Sequence, residues 1–517
     1  MSNSQNSSDS ARSAGRGGIA VLLAKAFFIV SGLIQQIVLP KLIGLDGYGA
    51  FSRVSAIANI ANNVVVSSSI QGVSHSIAST PANNTEQTLR RTFKTHLAIA
   101  IPVALAFLFF APVYASFQGA PHIIRPLQVV SIVVLFYGLY APLVGVLNGG
   151  RRFTMQAGLD VIYAVLRTTG LLGLGWMFAR GGDKSHGVLG ACIGFACAAV
   201  IIFPVALKAT GIGKSGSGGP TVKQHLMFIL PVALGQVFLQ LLMQSDIIIL
   251  GHFASKLAAT QLISVETARE VADKIVGVYR PCQVFAFLPF QMLITLTFIM
   301  FPMLAKAKAE QDEQAVANYV RTGMRLAFVF ACLMVATVSA LGPHLLHLMY
   351  SDEVAERGGL ALRILAQGQG AFAIFYIETT VLTSLGRERV SAVLTGAAAV
   401  LVAIGCVLAG NIARDPSELL LYTASGTSVA LVIAASCGAA MVLKVAKAYV
   451  KALTAMRTIL TVAVVSSLGW FIPYMGRLYV IPQVAGIGLL AVVLLVATRE
   501  VGKQDLGVVK QVLRRGG

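Results

Sequence analysis

Apolar runs separated by short polar or basic segments recur along the whole chain. A membrane-spanning helix needs about 20 mostly apolar residues. Fourteen runs meet that length: 19–39, 54–79, 95–117, 124–148, 155–178, 187–208, 226–251, 281–304, 324–349, 360–385, 390–410, 417–443, 455–475 and 478–498. The last two are separated only by Gly476 and Arg477. The pattern predicts an all-α integral membrane protein.

Composition supports that fold class. Of 517 residues, 56% are apolar and 12% charged, whereas soluble domains carry about 25% charged residues. Lipid can solvate the apolar exterior that this chain would present. The formal net charge is +19. In a soluble protein such an excess would suggest a nucleic-acid partner, but here the cations form short clusters between apolar runs. They read as topology determinants, and no nucleic-acid partner is expected. With the N-terminus cytoplasmic, 25 of the 40 Lys and Arg residues fall in cytoplasmic segments. Both termini are therefore expected on the cytoplasmic side. The six cysteines lie within or beside apolar runs and read as small hydrophobes, not as a disulfide framework or metal site.

The chain repeats itself at an offset of roughly 230 residues. The fourth span closes with Asn148-Gly149-Gly150-Arg151-Arg152, the tenth with Leu385-Gly386-Arg387-Glu388-Arg389. Leu89-Arg90-Arg91-Thr92 parallels Val320-Arg321-Thr322-Gly323, and Gly47-Tyr48 parallels Gly277-Val278-Tyr279. The expected organisation is a disordered cytoplasmic tail at 1–18, an N-lobe of six spans at 19–208 and a cytoplasmic linker at 209–225. A C-lobe of six spans follows at 226–448, then two added spans at 449–498 and a basic cytoplasmic tail at 499–517. The polar stretch 252–276 has no counterpart in the first half. It reads as an external loop insertion, and its 264–274 portion could form a short amphipathic helix.

Leu42-Ile43-Gly44-Leu45-Asp46-Gly47-Tyr48-Gly49-Ala50-Phe51 resembles the L-G-x-x-x-Y-G-x-F signature of polysaccharide (O-antigen type) flippases. That family lies within the multidrug/oligosaccharidyl-lipid/polysaccharide exporter superfamily. Leu230-Pro231 through Asp246-Ile247-Ile248-Ile249-Leu250 resembles its P…D-x-x-I-L pattern, and Val276-Gly277-Val278-Tyr279 with Phe287-Leu288-Pro289 its entry to the eighth span. The resemblance implies two six-helix lobes alternating access around a central cavity in a bacterial inner membrane. It implies a polyprenyl-pyrophosphate-linked oligosaccharide as cargo, moved from the cytoplasmic to the periplasmic leaflet, with a polysaccharide polymerase as a further partner. The lipid II branch of the superfamily carries several arginines in the first two spans. Here those spans offer Lys25, Gln35, Gln36 and several Asn, which argues against a lipid II cargo.

A charge at membrane depth is costly and usually functional. Lys25, Gly32 and Gln36 fall within about 40° on one helical face: a cation, a gap and an amide suited to a pyrophosphate. The plain alternative is a lysine that snorkels to the interface. Ser52, Ser55, Asn59, Asn62 and Asn63 share an arc of about 100° on the second span. They could hold sugars or bond another helix. Gln236, Gln240 and Gln244 recur at four-residue spacing on the seventh span, followed by Asp246. Asp246, Asp160 and Glu378 are candidates for an ion-coupling role, and a structural ion pair is the alternative for Asp246. Arg167 lies on the same face as Asp160, about two turns away. Arg53 and Arg280 hold matching repeat positions; they could bind the pyrophosphate on release or anchor at the interface.

No GxSxG, HExxH or phosphate-binding loop occurs. The expectation is a transporter without cofactor, driven by an ion or substrate gradient. Two alternatives stand beside it. A cation-coupled drug exporter would have an acidic, aromatic pocket without a basic floor. A membrane-embedded glycosyltransferase or polymerase would carry a large external loop with catalytic groups.

Overall fold

The computed structural model describes residues 2–181, 185–216, 219–261 and 264–501. Most of the expected C-terminal basic tail lies outside them. The helices are α1 (Ser2–Ala78), α2 (Thr85–Phe117), α3 (Ile124–Gly149), α4 (Phe153–Ala179), α5 (Ser185–Thr210), α6 (Val222–Gln261), α7 (Val265–Ala286) and α8 (Leu288–Ala309). They continue with α9 (Glu313–Ala340), α10 (Gly342–Met349), α11 (Asp352–Ser384), α12 (Glu388–Ile412), α13 (Pro416–Ala446), α14 (Ala452–Leu468) and α15 (Arg477–Ala497). Thirteen helical stretches among the described residues are long and apolar enough to cross a membrane. The first covers 56 residues, about 84 Å at 1.5 Å per residue, enough for two crossings of a ~30 Å core. The fourteen expected spans are thus present. Large apolar side chains such as Phe109 (73% exposed) and Leu478 (87%) face outward, as lipid contact requires.

The first two spans are joined by almost no loop. α1 breaks only at Gly44, whose φ of 83° is open to glycine at little cost. The segment read as a disordered tail is helical from Ser2 onward.

Most of the stretch 252–276 is helical, including the 264–274 portion expected as a short helix, which falls in α7 from Val265 onward. α6 extends to Gln261 and α7 begins at Val265. The charges of that portion occupy one side of α7, while Ala272, Ile275 and Val276 are buried. α7 lies against the signature segment so closely that a Cβ on Gly49 would stand 1.8 Å from the Asp273 carbonyl oxygen. One on Gly277 would stand 2.2 Å from that of Leu45. Gly49 and Gly277 are therefore packing residues.

The chain forms two compact units, the first ending at Gly277 and the second beginning at Val278. The boundary falls inside α7, not in the expected 209–225 linker. The reason is that α6 packs on α1 and α2, and the first half of α7 on α1. In the first unit α1 and α2 pack on α3, and α3 and α4 on α5. In the second, α8 and α9 pack on α11, and α11 and α12 on α13. One close crossing recurs in both. A Cβ on Gly170 would stand 2.5 Å from the Gly194 oxygen, and one on Gly405 would stand 2.8 Å from that of Gly426. Small residues permit such backbone approach between membrane helices. The two pairs are separated by the offset read from the sequence, so the repeat is structural.

Candidate functional site

In the first unit, Lys25 on α1 is exposed and within electrostatic reach of Asp160 on α4. Asp160 in turn neighbours Tyr140 on α3. The ring of Tyr163 lies 6.3 Å from that of Phe28, 5.5 Å from Tyr137 and 6.1 Å from Tyr140. Tyr137 also meets Phe195 at 5.9 Å, and the Arg167 guanidinium sits 4.7 Å over the Phe195 ring. Asp160 and Arg167 thus have different partners, as their two-turn separation implies. Beside Lys25, Gly32 faces open space. Gln36 accepts from the Tyr48 hydroxyl at 2.5 Å, and Gln35 donates to Thr168 at 2.7 Å.

This cluster has unspent polar capacity. The Tyr140 and Tyr163 hydroxyls, Gln156 Oε1 and Arg167 Nε are enclosed without a hydrogen-bond partner. Unpaired buried polar groups are uncommon and call for a reason. Rings with free hydroxyls beside an ammonium and a carboxylate can take a sugar and its phosphate. The tyrosines escaped the sequence reading because Tyr137 and Tyr140 lie in one apolar span and Tyr163 in another, and the two sets meet only through helix packing.

The second half of α1 faces α6. Asn63 donates to Gln240 at 3.0 Å. Asn62 Oδ1 and Gln244 Oε1 are enclosed and unpartnered, while Asn59 and Gln236 are half-buried. The amides thus form a seam between two helices, with one bond made and two acceptors unused.

Arg53 is held inside the first unit by an ion pair and hydrogen bonds. It is fully buried, with Nε 2.9 Å from Asp273 Oδ1. Its terminal nitrogen donates to the Gln118 carbonyl oxygen at 3.1 Å and to Ser255 at 2.9 Å. His122 meets the other Asp273 oxygen at 2.8 Å. The supposed insertion therefore supplies Arg53's counter-ion. Arg280, at the matching repeat position, is half-buried and donates to Gln283 at 2.9 Å. Asp246 is 2% exposed and accepts from the Ile247 backbone N–H at 2.8 Å.

Within the second unit, Glu378 lines a cavity of about 380 Å³ with Gln367, Ile374, Phe328 and Tyr449. It is fully buried and accepts from the Tyr449 hydroxyl. Its Oε2 is unpartnered and presses on Gly438, where a Cβ would stand 2.2 Å away.

None of the curated proteins matches the chain by sequence. Among solved structures, the chain resembles the lipid II flippase MurJ in its inward closed conformation. The TM-score is 0.71 at 13% identity, covering 93% of this chain and 99% of that one. It also resembles an inward-facing multidrug resistance MATE family transporter of the MOP superfamily, with TM-score 0.59, 16% identity and coverage of 83% and 95%. A third is a MOP superfamily transporter from Pyrococcus furiosus, with TM-score 0.55, 15% identity and coverage of 84% and 96%. At such identities the likeness establishes the fold. Residues 38–356 match the family model described as polysaccharide biosynthesis protein; the chain belongs to that family.

Proposed function

We propose that this protein is a flippase. It moves a polyprenyl-pyrophosphate-linked oligosaccharide from the cytoplasmic to the periplasmic leaflet of a bacterial inner membrane by alternating access, for assembly of a surface polysaccharide such as lipopolysaccharide or exopolysaccharide. The carrying observation is the family match over residues 38–356, joined to a fold shared with transporters. The Lys25–Asp160 neighbourhood supports it: an exposed cation suits a pyrophosphate, and the adjoining tyrosines suit sugar rings. Asn62, Asn63, Gln240 and Gln244 offer further amides along the path. Asp160, Asp246 and Glu378 are the candidate acids for a coupling cation. A downstream polymerase would consume the delivered cargo.

Deleting the gene in its own bacterium tests this reading. The expected result is loss of a surface polysaccharide, with its lipid-linked precursor accumulating on the cytoplasmic leaflet. Unchanged polymer and precursor pools would contradict it.

A further inference from the structure

A chain of four buried polar side chains crosses three helices of the first unit. Ser69 Oγ lies 3.1 Å from His96 Nδ1. His96 Nε2 lies 3.1 Å from His225 Nε2, and His225 Nδ1 lies 2.9 Å from Ser76 Oγ. All four residues are 4% exposed or less. Gly72 lets α6 close over them: a Cβ there would stand 2.5 Å from Ile229 and 3.5 Å from the His225 ring. His225 is in the first turn of α6 and Ser76 in the last turn of α1, so the chain starts at a membrane face. Ser69 is about 10 Å deeper along α1.

Two imidazole nitrogens at this distance repel unless one carries a proton. The rings therefore hold reciprocal tautomers. When His225 Nε2–H donates to His96, Ser76 donates to His225 Nδ1 and His96 Nδ1–H donates to Ser69. A proton arriving at Ser76 then passes its hydroxyl proton to His225 Nδ1, and the His225 Nε2 proton moves to His96 Nε2. If His96 keeps its Nδ1 proton, the pair has gained one positive charge.

That charge would have little to balance it. The carboxylates of α1 to α6 among the described residues are Asp9, near the start of α1, Asp46, Glu86, Asp160, which neighbours Lys25, and Asp246. Glu86 pairs with Lys214. Asp246 is 21 residues, about 30 Å, along α6 from His225, and Asp46 lies at the opposite end of its span. The other titratable groups near the pair are basic residues. From α1, His75 stacks on Phe228 at 4.2 Å and lies within electrostatic reach of His225. From α2, Arg91 donates to the Gly219 and Pro220 carbonyl oxygens, and Lys94 is exposed. α6 contributes exposed Lys223. α5 contributes Lys208 and the end of α3 leads into Arg151 and Arg152.

We propose that His96 and His225 form a proton-binding site, filled from the face where α1 ends and α6 begins, whose occupancy sets the contact of α6 with α1 and α2. The neutral pair bonds the three helices. Among the described side chains no carboxylate is seen to pair with either ring, and the charged pair is stable only where water reaches it, so protonation releases the start of α6. Histidine is the side chain that makes this change near physiological pH. As the coupling proton of transport the site rests on the flippase reading; as a proton site it does not.

Hydrogen exchange of the purified full-length protein in lipid nanodiscs, without substrate, tests it. After correction for intrinsic rates, peptides covering 69–78 and 222–230 should lose protection by about tenfold or more between about pH 7.5 and about pH 5.5. His96→Gln and His225→Gln should abolish that change, while His75→Gln should retain it. Equal protection of the unaltered protein at both pH values would overturn the proposal even if a variant failed to fold. So would a pH response that survives in both pair variants or disappears in His75→Gln. No cargo enters the measurement, so its outcome is separate from that of the flippase reading.

Discussion

Arg53 and Asp273, 220 residues apart in sequence, form an ion pair at 2.9 Å in which the arginine is wholly enclosed. The pair ties the signature segment of α1 to the first half of α7. Removing one partner leaves an uncompensated buried charge, which typically costs about 3–5 kcal/mol.

Asp273→Ala should therefore destabilise the protein strongly, with a large fall in unfolding temperature in detergent. Arg53→Met combined with Asp273→Leu should be markedly less harmful than Asp273→Ala, because no charge is stranded. Equal losses in both proteins would show that the pair does not bind the elements together.

Lys25 serves the cargo in this account. Lys25→Ala should reduce surface polysaccharide by about tenfold or more while the protein still reaches the membrane, and Lys25→Arg should retain a substantial part. Quantifying polymer against protein in isolated membranes checks this; normal polymer with Ala would remove Lys25 from the mechanism.

The Asn63–Gln240 bond is expected to be modest. A double-mutant cycle with Ala at each position should return about 0.5–1.5 kcal/mol of coupling, as found for polar pairs within membranes. No measurable coupling would make the seam incidental.

Glu378 and Gly438 separate charge from packing. Glu378→Gln preserves volume and the Tyr449 bond, so the protein should fold while transport loses dependence on the coupling gradient. Gly438→Ala drives a methyl into Oε2 and should cost about 1–3 kcal/mol. Thermal unfolding and gradient-dependent uptake read the two effects; an unchanged gradient response in Glu378→Gln would remove that acid from coupling.

The parts of the fold set by local hydropathy were legible in the sequence. Fourteen spans follow from runs that must satisfy their backbone inside lipid, and the roughly 230-residue repeat reappears in the glycine crossings at 170/194 and 405/426. The stretch 252–276 reads as a loop insertion because the first half has no counterpart to it, and only its 264–274 portion suggests a helix; α7 holds that portion, with Glu266, Arg269, Glu270, Asp273 and Lys274 on one side. Their helix has a buried side, and Asp273 is neutralised by a residue two hundred positions earlier. Lys25 stood out because charge is rare in such spans. Tyr140, Tyr163, His96 and His225 did not, since each is unremarkable on its own helix and gains meaning only from its neighbours in space.

The proposed activity is movement of a lipid-linked oligosaccharide across a bilayer. Its most direct test places a fluorescent polyprenyl-pyrophosphate oligosaccharide in one leaflet of vesicles containing the purified protein. Access to a membrane-impermeant quencher is then followed. Leaflet exchange should be at least about tenfold faster than in protein-free vesicles, falling to the protein-free rate with Lys25→Ala. Exchange no faster than in empty vesicles, under either direction of an imposed gradient, would contradict it.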